Sequence, residues 1–139
     1  MKNNKWYVIS TFVLGCIVIN FAGRILSDRL QLPLWLDSFG TVTAAYVLGP
    51  FCAAMVGMTV NLTYGILYSW TNMFYAVVSA MVGITTGICV KKGFLKNLYG
   101  VLSTSFLVAV LSVTLSVPFN YLYCDGSTQN IWGDGVIES

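Results

Sequence analysis

The chain reads as five apolar stretches separated by short polar breaks, and no charged residue occurs from Ser38 to Val90. A helix needs roughly 20 mostly apolar residues, at about 1.5 Å each, to cross a bilayer. The first stretch, about residues 6–26, follows a polar, basic start. Such a start also precedes secretory signals, but further apolar stretches follow and no small-x-small cleavage site appears, so it reads as a retained span. Polar Ser27-Asp28-Arg29-Leu30-Gln31 closes it. The second stretch, 33–49, opens with a proline suited to a first helical turn and ends at the turn signal Gly49-Pro50. Its 17 residues make it short for a full crossing. The third, 51–70, ends at Ser69-Trp70-Thr71-Asn72, and the fourth, 73–90, stops at Lys91-Lys92-Gly93. The fifth, 98–123, carries Pro118, which is expected to kink its last part. Cys124 to Asn130 is polar, and the tail to Ser139 is too short and too polar to span again. The pattern predicts an all-α, polytopic membrane bundle of five transmembrane helices, a single membrane domain over 1–139.

Composition agrees. Of the residues 57% are hydrophobic and 9% charged, against about 25% charged in soluble domains; the mean hydropathy is +0.77. The net charge of +2, with basic residues beside apolar segments, offers no nucleic-acid patch. Orientation follows from lysine placement. With the N-terminus cytoplasmic, Lys2, Lys5, Lys91, Lys92 and Lys96 lie inside and Arg24 and Arg29 outside, five against two. Asp125, Asp134 and Glu138 then lie outside with the C-terminus.

Little in the chain could do chemistry. It has no His, the usual general base, and no GxxxxGKS/T loop, GxSxG elbow or HExxH motif. The four cysteines form no CxxC pair and read as small apolar fillers. No enzyme, metal site or cofactor is expected. Asp28 and Asp37 have Arg24 and Arg29 beside them, and salt bridging accounts for that grouping better than acid–base catalysis.

Small residues recur at helical spacing. Ala53, Gly57, Asn61 and Gly65 stripe the third span, with Ser79, Gly83, Gly87 and the pair Ala76 and Ala80 on the fourth; Ser112, Ser116 and Asn120 line one side of the fifth. Such stripes let backbones approach closely in lipid. They serve packing within the bundle or docking of a partner helix; Gly15, Gly23, Ala76, Ala80, Gly83 and Gly87 are the candidates for the second role. The sequon Asn61-Leu62-Thr63 lies mid-span and is discounted for glycosylation.

Binding is the more plausible activity. Asp37 stands near the outer start of the second span, beside Trp35 and Ser38 and before Thr41. An ionisable group there is solvated, paired or functional; a charge matching the helix dipole is the structural alternative. Tyr64, Asn120 and Trp132 fall on the same outer side, where aromatics also form interfacial belts. Trp35, Asp37, Ser38, Thr41, Asn61, Tyr64, Asn120 and Trp132 are the candidate small-molecule ligands' contacts.

The block Leu32-Pro33-Leu34-Trp35-Leu36-Asp37-Ser38-Phe39-Gly40-Thr41, followed by Ala44-Ala45 and Leu48-Gly49-Pro50, resembles the substrate-binding S components of energy-coupling factor (ECF) transporters. The run Ala53 to Leu62 and the segment Asn130-Ile131-Trp132-Gly133-Asp134 fit the same pattern. The resemblance implies an outward-facing pocket for a vitamin or similar micronutrient, a flat, ring-containing, riboflavin-like compound given the aromatics. It also implies a transmembrane coupling subunit and two cytoplasmic ATPase subunits as partners, a bacterial cell membrane as location, and a bundle that topples to carry the pocket inward. The family's coupling contact uses small residues on the first helix, where Gly15 and Gly23 match loosely. Six spans are normal in the family and five are read here, so either a sixth follows beyond residue 139 or the chain is an unusual member. A related module serves as the membrane input region of bacterial sensor proteins, and a small structural membrane protein is the third reading.

Overall fold

The first apolar stretch forms one helix that continues past its polar break. The computed structural model describes residues 3–30 and 36–123, and α1 is Asn3–Leu30. It runs through Ser27-Asp28-Arg29 because Arg24 and Asp28, one turn apart, form an ion pair (Nε to Oδ1, 3.6 Å), a spacing that supports its own helix. A 3-10 turn at Leu36–Ser38 leads directly into α2, Phe39–Leu48. Then come α3 (Pro50–Leu67), α4 (Asn72–Lys91), a second 3-10 turn (Phe94–Lys96) and α5 (Leu98–Tyr123). The described residues contain five α-helices and no strand, so the architecture is the expected helical bundle.

Four of the five, α1, α3, α4 and α5, are long and apolar enough to cross a membrane. With 10 residues, α2 reaches only about 15 Å, half of a ~30 Å hydrocarbon core. The expected second span is thus a 3-10 turn and a short helix over its described part. Large apolar side chains face outward along the long helices, Val18, Phe106 and Val113 among them. A water-soluble bundle would bury such surface; a membrane-embedded protein presents it to lipid. The α5 helix continues through Pro118 to Tyr123.

Successive helices alternate in direction. Gly40 of α2 lies against Cys16 and Asn20 of α1, Gly83 of α4 against Ala53 of α3, and Gly49 beside Lys91. Tyr75 of α4 donates to Asn120 Oδ1 near the end of α5. One end of the bundle therefore collects Lys5, Lys91, Lys92 and Lys96, and the other Arg24, Asp28, Arg29 and Asp37. At the α2–α3 corner Gly49 has φ +93°, a conformation that favours glycine, and Pro50 starts α3 where its missing N–H is harmless.

The seam between α3 and α4 uses both small-residue stripes against each other. A Cβ on Gly83 would stand 2.7 Å from the Ala53 carbonyl carbon, and one on Gly57 3.0 Å from Ser79. Gly87 rests on Pro50; Ala76 is buried and Ala80 half-buried. Asn61 Nδ2 donates to Ser79 Oγ at 2.6 Å and to the Gly57 carbonyl at 3.2 Å, so the one amide in the stripe is satisfied between helices. Beside the seam, Cys16, Ala44, Ala45, Ala53 and Val56 form the core that seats α2.

Candidate functional site

Five polar side chains from four elements meet at the arginine end. Arg24 leaves the last third of α1. Its Nη1 donates to Asp37 Oδ2 at 3.4 Å and its Nη2 to Asn72 Oδ1 at 2.8 Å. Asp37 comes from the 3-10 turn before α2 and Asn72 from the first residue of α4. From α3, Tyr64 offers its ring to the Arg24 guanidinium, 5.0 Å from the centroid, a cation–π contact. The Tyr64 hydroxyl donates to Asp28. Tyr68 stacks on Tyr64 at 4.6 Å between centroids, and Phe21 meets it edge-on at 5.9 Å.

One guanidinium faces two carboxylates, Asp37 with its side chain 8% exposed and Asp28 at 46%. Burial pushes the Asp37 carboxyl up from its usual range, and the Arg24 charge and hydrogen bond offset part of that. Arg24 Nε is buried without a hydrogen-bond partner among the described residues, its nearest carboxylate being Asp28 at 3.6 Å. Buried donors are normally satisfied. This cluster is therefore polar and partly exposed, with one buried donor that lacks a hydrogen bond among the described residues.

The short α2 is positioned for this site by a second polar contact deeper in α1. Asn20, fully buried, accepts the Gly40 N–H at 2.6 Å and donates to Thr41 Oγ1 at 2.9 Å. It thereby satisfies one of the free N–H groups at the start of α2, a task that the Ser38 side chain does not perform. Gly23 lets the Leu36 backbone approach α1, since a Cβ there would stand 2.6 Å from the Leu36 carbonyl oxygen. Both contacts hold the turn that carries Asp37.

Of the residues singled out from sequence, Asp37 and Tyr64 meet in the cluster, with Ser38 next to it in the same turn. Thr41 is buried on Asn20, Asn61 belongs to the α3–α4 seam, and Asn120 pairs with Tyr75 beside the stacked rings of Phe74, Phe119 and Tyr123. Trp35 and Trp132 lie outside the described residues. Of the glycines and alanines considered for partner docking, Gly23, Ala76, Gly83 and Gly87 are spent inside the bundle, and Ala80 lies half-buried on α4. Gly15 has no atom within 4 Å of where a Cβ would sit. The hub, Arg24, and the amide Asn20 were missing from the candidates. Arg24 could have been found as an ionisable residue inside an apolar stretch, which marks a functional or paired group. No family model, no curated protein and no solved structure matches this chain.

Proposed function

We propose that the protein is the membrane-embedded substrate-binding subunit of an ECF-type transporter, which captures a vitamin or similar small micronutrient at the cell surface. The arginine end faces outward in this reading, as the lysine bias suggests. Uptake is driven by a transmembrane coupling subunit and two cytoplasmic ATPases, because the chain carries no phosphate-binding loop of its own.

The observation that carries the reading is the convergence on Arg24. Four polar side chains, Asp28, Asp37, Tyr64 and Asn72, from α1, the 3-10 turn, α3 and α4 surround one guanidinium, and a buried N–H of that guanidinium has no hydrogen bond among the described residues. A purely structural ion pair at a helix end would match its charges and close its hydrogen bonds. Here one buried donor lacks a hydrogen bond among the described residues, one edge is exposed, and the Tyr64 ring lies against the guanidinium. Small-molecule sites combine such convergent polar groups with aromatic walls.

The test is direct binding by the purified full-length chain in detergent, using a panel of water-soluble vitamins that begins with riboflavin. One of them is expected to bind, and Asp37→Ala to weaken it by about tenfold or more, equivalent to about 1.4 kcal/mol, with a small change in melting temperature. Unchanged affinity with a lowered melting temperature would make Asp37 a structural charge and remove the site.

A further inference from the structure

The lysine end of the bundle is one-sided in charge where the arginine end is mixed. Lys91 ends α4, Lys92 caps it, and Lys96 follows in the second 3-10 turn; all three are exposed. Both carboxylates among the described residues, Asp28 and Asp37, lie at the opposite end. No ion pair among the described residues involves any of the three lysines.

Two glycines shape the turn that carries them. Gly93 has φ +77°, a conformation that favours glycine, and its N–H donates to the Val90 carbonyl at 2.9 Å. The Lys96 N–H returns to the Gly93 carbonyl at 3.2 Å. Gly100 lets the Phe94 carbonyl rest against the first turn of α5, where a Cβ would collide with it. The Lys96 side chain folds back across Gly93, its Cδ 3.7 Å and its Cε 3.8 Å from where a Cβ would stand. The Lys96 ammonium is thereby turned toward the end of α4, where Lys91 and Lys92 stand. A cation in the last turn of a helix matches the helix dipole, and that accounts for Lys91. It does not account for three cations on one turn with no carboxylate beside them.

Exposed rings place this turn at a membrane surface. Phe94, Leu98 and Tyr99 are exposed around it, and Trp6 and Tyr7 are exposed beside Lys5 at the same end of the bundle. Aromatic side chains of this kind settle at the head-group level of a bilayer. A soluble acidic partner would match the charge and leave the rings without a use. A lipid with an anionic head group matches both.

We infer that the turn between α4 and α5 binds the head group of an anionic phospholipid through Lys91, Lys92 and Lys96. Basic clusters next to a membrane helix attract such lipids, and each lysine near the surface adds to the attraction.

The experiment is native mass spectrometry of the full-length chain in a neutral detergent, with phosphatidylglycerol or phosphatidylcholine of the same acyl composition added. The phosphatidylglycerol adduct is expected to exceed the phosphatidylcholine adduct by roughly fivefold for each lysine engaged. The triple variant Lys91→Gln, Lys92→Gln and Lys96→Gln is expected to bring the two lipids level. Arg29→Gln, which removes an exposed charge at the opposite end, is expected to keep the preference. If the triple variant melts early, Lys96→Gln alone is read, since Lys96 lies outside the α-helices; the preference should fall about fivefold. Equal retention of the two lipids by the unaltered chain overturns the inference. So does a preference that survives the lysine changes, or one that Arg29→Gln removes as completely as they do. A photo-cross-linker on Phe94→Cys that captures a polypeptide in native membranes, and no lipid, gives the turn to a protein partner and overturns it as well.

Discussion

The α3–α4 seam and the arginine end both place polar groups among apolar helices, and they do so in opposite ways. In the seam the Asn61 amide finds its partners within the helix pair, Ser79 and the Gly57 carbonyl, and the glycine contacts are backbone against small side chains and backbone. At the arginine end four elements contribute, one cation faces two carboxylates, and a buried N–H has no hydrogen bond among the described residues. A closed arrangement stabilises the bundle and offers nothing to a ligand. An open one retains charge and hydrogen-bonding capacity. The difference separates residues that hold the structure from residues proposed to use it, although both sets stood together among the sequence candidates.

The largest effect that would break this division is in the seam. Gly83→Leu drives a side chain into the Ala53 backbone, where even a Cβ would stand at 2.7 Å. Overpacking of this kind costs about 3 kcal/mol or more where the backbone cannot move, so thermal melting in detergent should show loss of the folded form. Arg24→Met comes next. It leaves buried Asp37 without its cation, and a cost of about 1–3 kcal/mol is expected, read as a lowered melting temperature that a second change, Asp37→Asn, partly restores. A melt unchanged by Arg24→Met would mean that the ion pair contributes nothing to the fold. The smallest effect belongs to Asn61→Ala. Interhelical hydrogen bonds in membranes average about 0.6 kcal/mol and reach about 1.7 kcal/mol, so a shift within that range, with ligand binding intact, sharpens the comparison.

The helices and the seam were legible from sequence because both rest on periodic patterns. Hydropathy located the fifth span at 98–123, where α5 is found as Leu98–Tyr123, and the fourth-residue stripe Ala53-Gly57-Asn61-Gly65 marked the face that meets α4. Helix ends were harder. Hydropathy reports where a chain becomes polar, and α1 remains helical through Asp28 and Arg29 because side-chain pairing and helix propensity do not require an apolar environment. The short α2 was also only partly visible, since Asn20, which satisfies its first turn from another helix, is a single amide in an apolar run with no periodic signal. For the site, Asp37 and Tyr64 stood out by charge and aromatic character. The hub did not: Arg24 appeared only as a salt-bridge neighbour, and its reach to Asn72, 48 positions along the chain, depends on helix packing that no local pattern encodes.

The most direct test sets Asp37→Ala against Asn61→Ala in a single equilibrium-binding experiment, using whichever vitamin the unaltered chain retains. The account predicts a loss of about tenfold or more for Asp37→Ala and an affinity within about twofold of the unaltered chain for Asn61→Ala. The reverse order, with Asn61→Ala abolishing binding and Asp37→Ala leaving it unchanged, would move the ligand into the α3–α4 seam and contradict the assignment of the arginine end.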